Sequence, residues 1–183
     1  MRRSSVVAIV AAVIVVAAGG WLVIDHNSQD PQATGPIAID TPMPAMTGES
    51  LSGKPMTSNG FRGRVTVIDA WASWCGPCRT DEPILAQLAR SYGSRVRFVG
   101  IDHLDQRAQA VHSAQEFGAR YPSFFDPSGR FAGLFRYPYI PVIYVVDPGG
   151  TMRWELLGQI DRSEVTTAID QVLGTPASPS PSG

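Results

Sequence analysis

The chain has 183 residues, of which 15 are basic and 16 acidic, giving a formal net charge of −1. This length allows one ordinary domain with accessory segments, and such a domain can bury a core without metal or structural disulfides. Because the charges nearly cancel and form no basic stripe, we exclude a nucleic-acid-binding protein. Many of the 15 prolines and 18 glycines lie toward the two ends, which indicates flexible termini around a compact middle.

The N-terminal segment has the features of a membrane anchor. Two arginines precede an uncharged run, Val6–Ile24, which as a helix would span about 28 Å, enough to cross a bilayer core. Since basic residues favour the cytoplasmic side, we expect residues 1–25 to be a transmembrane helix with the rest outside. A signal peptide cleaved near Ala18 is the alternative, but the apolar run continues past that site through Trp21. Both alternatives place the domain on the extracytoplasmic side.

Composition divides the remainder of the chain into three parts. Residues 26–44 are rich in Pro, Gln, Thr, Ser and Asp and predict a flexible linker. Residues 45–173 carry the apolar patterns of a folded domain. Residues 174–183 (GTPASPSPSG) predict a disordered tail.

The folded part alternates strand and helix signals. β-Branched runs bounded by glycine or proline predict strands, and apolar residues at helical spacing predict helices. In chain order, the predicted elements are a hairpin over Glu49–Thr57, a strand Arg64–Ala70, a helix Pro77–Tyr92, a strand Arg95–Ile101, a helix Asp105–Ala119, a short helix Ser128–Phe135, a hairpin of Val142–Val146 with Met152–Leu157, and a helix Asp161–Leu173. This order implies a mixed sheet with helices on both faces.

The only two cysteines lie in Trp74-Cys75-Gly76-Pro77-Cys78, after a predicted strand and at the start of a predicted helix. Backbone N–H groups and the dipole at a helix N-terminus stabilise an anion. They can lower the pKa of a cysteine there from about 8.5 to between about 3.5 and 7.5. We therefore predict that Cys75 is an exposed, attacking thiolate and that Cys78, one turn into the helix, resolves the mixed disulfide.

Three other interpretations of the cysteine pair are weaker. A structural disulfide closing so short a loop would constrain the unfolded chain little. A structural zinc site needs four ligands, and neither a second C-x-x-C nor an H-x₃₋₅-H is present. A pair of inert buried thiols disagrees with the position at a helix start. A C-x-x-C at a strand-to-helix junction favours redox chemistry.

The run Asp69–Arg79 (DAWASWCGPCR) closely resembles the active site of thioredoxin. The chain is most similar to the TlpA/ResA-like branch of membrane-anchored thiol–disulfide oxidoreductases, over about residues 46–173. Pro83 and the run Tyr139-Ile140-Pro141-Val142 also match. The resemblance implies an α/β thioredoxin fold, with a mixed central sheet flanked by helices, and the β-α insertion of that branch around residues 101–125.

The resemblance also implies roles for residues outside the cysteine pair. Pro141 matches the cis-proline that faces the dithiol, which would leave the backbone of Ile140 free to pair with an extended substrate. Asp69 matches the buried acid beneath the second cysteine, which would have a raised pKa and could move a proton through water. Trp71 and Trp74 would flank the dithiol and shape the docking surface, and the Gly76-Pro77 dipeptide would shape the active site between the cysteines.

By this resemblance the chain is a thiol–disulfide oxidoreductase that needs no cofactor and no metal, because the cysteines carry both electrons. The Gly-Pro dipeptide, as in thioredoxin, favours a protein-disulfide reductase acting on exported proteins. The implied partners are extracytoplasmic proteins with disulfides or dithiols and a membrane thiol protein as electron donor, and we expect a monomer. Cytochrome c maturation is one setting, although the loop Arg136–Ile140 lacks the acidic pattern of dedicated maturation proteins.

Alternative functions stay open at this point. An extracytoplasmic disulfide oxidase would use the same residues in the opposite direction. A thiol peroxidase would need Thr and Arg around a lone cysteine, whereas Trp74 precedes Cys75 here. A non-catalytic copper-binding thiol module would need a third soft ligand near the two cysteines, and the sequence offers no clear one.

Overall fold

The computed structural model describes residues 34–174, and these form one eight-stranded sheet with four α-helices. The elements are β1 (Thr34–Pro42), β2 (Thr47–Ser50), β3 (Pro55–Thr57), β4 (Val65–Trp71), α1 (Gly76–Tyr92), β5 (Val96–His103), α2 (Arg107–Phe117), β6 (Ser123–Asp126), α3 (Arg130–Phe135), β7 (Val142–Val146), β8 (Thr151–Leu157) and α4 (Arg162–Gly174). The strand order across the sheet is β1-β8-β7-β4-β5-β6-β2-β3.

The sheet is mixed, with β4 near its centre. β4 runs parallel to β5 and antiparallel to β7. β5 in turn pairs parallel with β6, and the remaining neighbours pair antiparallel. The two parallel pairings are connected through α1 and α2, which form βαβ units. This arrangement confirms the predicted α/β thioredoxin-like fold, and α2 with β6 occupies the region of the expected insertion.

The alternation of side chains along β4 determines what lies on each face of the sheet. Val67 packs in a core with Leu85 of α1. The next residue, Ile68, packs in a second core with Phe131 of α3 on the opposite face. Asp69, two residues after Val67, therefore points to the same face, toward α1. Every residue of β4 is buried. The strand register thus places a carboxyl group in an apolar layer beneath the helix that carries the cysteines.

Two strands differ from the sequence-based expectations. β1 lies within the predicted linker 26–44, and it pairs with β8 along the edge of the sheet. Backbone hydrogen bonds hold this strand in the sheet, and its few apolar residues are partly exposed. Its sequence therefore resembles that of a linker. β6 is missing from the predicted order, since its four residues are too few to show a period.

The predicted transmembrane helix over residues 1–25 lies outside the described residues, as do residues 26–33 and residues 175–183. Gly174, the first residue of the predicted tail, is the last residue of α4. None of the helices within residues 34–174 has both the length and the apolar character needed to span a bilayer.

Candidate active site

Cys75 and Cys78 lie where the chain passes from β4 into α1. Cys75 is the N-cap of α1, and Pro77 lies in the first turn, where its missing N–H removes no helical hydrogen bond. The backbone N–H of Cys78 donates to the Sγ of Cys75 over 3.2 Å. The two cysteines form a disulfide with their Cα atoms 5.3 Å apart. After reduction, the Cys75 sulfur would lie at the helix end that stabilises a thiolate.

Both cysteines are buried in the oxidised protein. Cys75 is only 4% exposed and Cys78 only 1%, so the predicted exposure of Cys75 is wrong for this state. Trp71 and Ala72 pack in one cluster with the pair, and Ile140 packs against that cluster. The Gly-Pro dipeptide between the cysteines is exposed. A partner protein would therefore approach over the first turn of α1.

The two tryptophans beside the motif have different environments. Trp71 is 1% exposed and packs in one cluster with both cysteines, so it supports the disulfide from the interior. The prediction that Trp71 shapes the docking surface is therefore wrong for this state. Trp74 is 57% exposed, and its indole Nε1 donates to the backbone oxygen of Leu104 over 3.1 Å. The tryptophan available to a partner is thus Trp74, held in place by the loop after β5.

The loop before β7 brings the proline to the site. The peptide bond between Ile140 and Pro141 is cis, as the resemblance implies. Ile140 is partly buried against the cluster that contains the cysteines, and Pro141 is buried. The preceding residue, Tyr139, is 54% exposed. Trp74 precedes Cys75 and Tyr139 precedes Ile140, so an accessible aromatic residue adjoins each of these members of the site.

Asp69 forms a buried acid pair with Glu82 of α1. Asp69 is 3% exposed and Glu82 is 1% exposed, and among the described residues no donor group reaches Oδ2 of Asp69 or Oε1 of Glu82. The hydroxyl of Tyr121 donates to Oε2 of Glu82 over 2.7 Å. Burial, and then the neighbouring carboxyl of Glu82, raise the pKa of Asp69 well above its ordinary value. Hydrogen bonding to Glu82 raises this pKa further, and such a bond between two carboxyl groups needs a proton on one of them.

This pair lies on the same side of α1 as the resolving cysteine. Glu82 is four residues after Cys78, so the two side chains lie on one face of the helix, a turn apart. Asp81 is also buried, accepts a hydrogen bond from the Ile160 backbone N–H at 3.4 Å, and has its pKa raised to about 7 by burial. The predicted burial of Asp69 is confirmed, and its role in moving a proton stays a prediction.

The sequence reasoning missed Glu82 and Tyr121. One signal could have indicated Glu82, because it falls four residues after Cys78 and three before Leu85, on the apolar side of the predicted helix. No local pattern indicates Tyr121, which reaches the pair from the segment between α2 and β6.

Known proteins resemble the chain in sequence and in structure. The model of the AhpC/TSA family matches residues 39–155. The thiol:disulfide interchange protein CycY of Rhizobium leguminosarum bv. viciae is 32% identical over 128 residues, covering 67% of this chain and 68% of that protein. The thiol:disulfide interchange protein DsbE of Allochromatium vinosum is 32% identical over 148 residues, covering 79% and 80% of the two chains.

Solved structures agree in fold. A DsbF homologue from Corynebacterium diphtheriae aligns with a TM-score of 0.70 at 24% identity, covering 77% of this chain and 95% of that one. At this identity the likeness shows the fold alone. The sequence relatives support a more specific assignment than the fold, because both are named thiol:disulfide interchange proteins and both match most of the chain. The chain therefore belongs to the AhpC/TSA family and, within it, to the TlpA/ResA-like thiol–disulfide oxidoreductases.

Proposed function

We propose that the chain is an extracytoplasmic protein-disulfide reductase, tethered to the membrane by residues 1–25, that acts on exported proteins. The observation that carries this proposal is the position of Cys75 as the N-cap of α1, with the Cys78 N–H directed at its sulfur. The Gly-Pro dipeptide between the cysteines supports the reducing direction by its likeness to thioredoxin.

The reaction uses both cysteines in turn. The Cys75 thiolate of the reduced protein attacks a substrate disulfide, and one substrate sulfur leaves as a thiolate. Cys78 then attacks the bond between Cys75 and the substrate, which releases the second substrate sulfur and forms the Cys75–Cys78 disulfide. Two electrons have passed to the substrate, and a membrane thiol protein returns them to the cysteines.

The acid pair supplies a place for the proton of Cys78. When Cys78 attacks, its thiol must lose a proton, and a pair that shares one proton still has a basic oxygen that can accept another. Glu82 is one helical turn from Cys78, and Asp69 is hydrogen-bonded to Glu82. In this proposal the proton passes from Cys78 to the pair, directly or through water, and returns when the disulfide is reduced again.

The exposed aromatic residues define how the substrate docks. An extended segment of the substrate would pair with the backbone of Ile140, and its apolar side chains would contact Trp74 and Tyr139, which are 57% and 54% exposed. Since main-chain pairing is independent of side chains, this mode suits an enzyme with more than one protein client.

The reduction potential separates a reductase from an oxidase. Equilibrating the protein with glutathione buffers should give a potential closer to the about −270 mV of thioredoxin than to the about −120 mV of a strong oxidase. A value more positive than about −180 mV would contradict the reducing direction and favour the oxidase.

Trapping identifies the clients and the donor. Cys78→Ala should leave substrates attached to Cys75 as mixed disulfides, which mass spectrometry of membrane extracts would identify. Cys75→Ala is the matched control and should capture none. Equal capture by both variants would show that Cys75 is not the attacking residue.

Protease protection tests the location. Protease added to intact spheroplasts should digest the domain without lysis of the spheroplasts. Digestion only after lysis would place the domain in the cytoplasm and contradict the proposal.

A further inference from the structure

A second buried acidic group, Asp102, lies at the end of β5. Asp102 is fully buried, and among the described residues no donor group reaches either of its carboxyl oxygens. A buried carboxyl group that no donor reaches is far more stable protonated than ionised. Asp105 carries the neighbouring carboxyl group, so the two form an acid pair in which a protonated Asp102 can donate to Asp105.

Asp105 connects this pair to the segment just before Cys75. One oxygen of Asp105 accepts the backbone N–H of Ser73 at 2.5 Å, and the other accepts the Ser73 hydroxyl at 2.8 Å. The next residue, Trp74, donates its indole N–H to the oxygen of Leu104, which precedes Asp105. Three hydrogen bonds thus hold residues 73 and 74 against the loop that comes after β5.

The charged groups around Asp102 oppose loss of the shared proton. Asp105 and Asp126 face Asp102 with carboxyl groups, and Arg107 faces it with a cation. Burial, and then Asp105, raise the pKa of Asp102 to about 8, an effect that Arg107 only partly opposes. Arg107 also donates to the backbone oxygens of Ser50 and Leu51 and pairs with Glu49.

We propose that Asp102 and Asp105 are positioning residues: by sharing one proton they hold Ser73 and Trp74 beside the disulfide, and loss of that proton loosens the surface that receives the substrate. The expected effect on turnover rests on the proposed function, whereas the positioning of Ser73 and Trp74 does not. With both carboxyl groups ionised, two like charges would be in contact inside the protein, and Asp105 would move away from Ser73. Trp74 would then lose its fixed orientation.

The structural part can be tested in the oxidised protein, where the cysteines do not titrate. The probe is the indole N–H signal of Trp74, assigned by its loss in Trp74→Phe, followed by NMR from pH 6 to pH 9.5 in the full-length protein in detergent. We expect this signal to shift with a midpoint near pH 8 and to exchange faster above it. In Asp102→Asn the new amide group donates to Asp105 and does not titrate, so the indole N–H signal of Trp74 in this variant should stay constant.

Two further variants make the result decisive. Asp40→Asn makes the same chemical change at a side chain that is 78% exposed, and it should keep the wild-type titration. Ser73→Ala removes one bond to Asp105 and should increase exchange of the indole N–H at every pH. An unchanging signal in the wild type, or the same titration in Asp102→Asn, would overturn the inference. If Asp102→Asn does not fold, Asp105→Asn takes its place with the same two outcomes.

Turnover adds a readout that a purely structural role would not change. Above pH 8, KM of the wild type for a disulfide-containing protein should rise several-fold, and Asp102→Asn should show no such rise. A rise of the same size in both would contradict the link to substrate docking. A protein that titrates as expected by NMR but reduces no disulfide would contradict the proposed function and leave the positioning role standing.

Discussion

Replacing Asp69 with Asn should change how the stability of the oxidised protein depends on pH. Asp69 and Glu82 are both buried, and the pKa of Asp69 is raised well above its ordinary value by burial and by the neighbouring carboxyl group of Glu82. In the unfolded chain this carboxyl group is ionised above about pH 5. The folded protein therefore binds a proton that the unfolded chain has released, so the free energy of unfolding falls as the pH rises above about 4.

The size of the effect comes from the linkage between protons and folding. A proton that the folded protein holds and the unfolded chain has released changes the free energy of unfolding by about 1.4 kcal/mol for each pH unit between the two pKa values. Asp69→Asn replaces the shared proton with an amide donor that does not titrate. We expect the stability of the variant relative to the wild type to rise by about this amount over the same interval.

Urea unfolding of the full-length oxidised protein in detergent, monitored by tryptophan fluorescence at several pH values, measures this difference. Asp40→Asn is the matched control, because its side chain is 78% exposed and its curve should stay parallel to that of the wild type. Parallel curves for Asp69→Asn and the wild type would refute the shared proton.

Three other changes have defined outcomes. Tyr121→Phe removes the donor to Glu82 and should lower the free energy of unfolding by about 1–3 kcal/mol; unchanged urea unfolding would contradict that bond. Gly100→Ala places a Cβ against side chains of the core and should lower stability by about 1–3 kcal/mol, whereas Gly60→Ala, which meets open space, should not. Trp74→Ala should reduce kcat/KM for a protein disulfide about tenfold without changing Tm, because the side chain is largely exposed; a matching loss of Tm would indicate a structural role instead.

The sequence was most informative where function depends on local order along the chain. A β-branched run followed by C-x-x-C and an amphipathic stretch predicted the junction of β4 and α1, and the boundaries agree within one residue. The match around Pro141 predicted a cis peptide bond that the structure contains. These features are set by neighbouring residues, so a single sequence carries them.

The rest depends on contacts between distant elements. Glu82 becomes a partner of Asp69 only because β4 places that side chain beneath α1, and Asp102 joins Asp105 only in the folded loop after β5. The burial of Trp71 has the same origin, since an aromatic residue next to an active site gives no local sign of the direction in which it points. In a sequence, such pairs are visible only as charged residues among apolar ones.

The first strand sets a practical limit on how the domain can be shortened. A fragment beginning at residue 45, the boundary that composition suggests, would lack β1 and leave the hydrogen-bonding edge of β8 open along its length. An open edge of this kind pairs readily with another chain, so the shorter fragment should aggregate. It would also lose the ion pair between Asp40 and Arg153, at 2.8 Å. A soluble version of this enzyme should therefore start before Thr34.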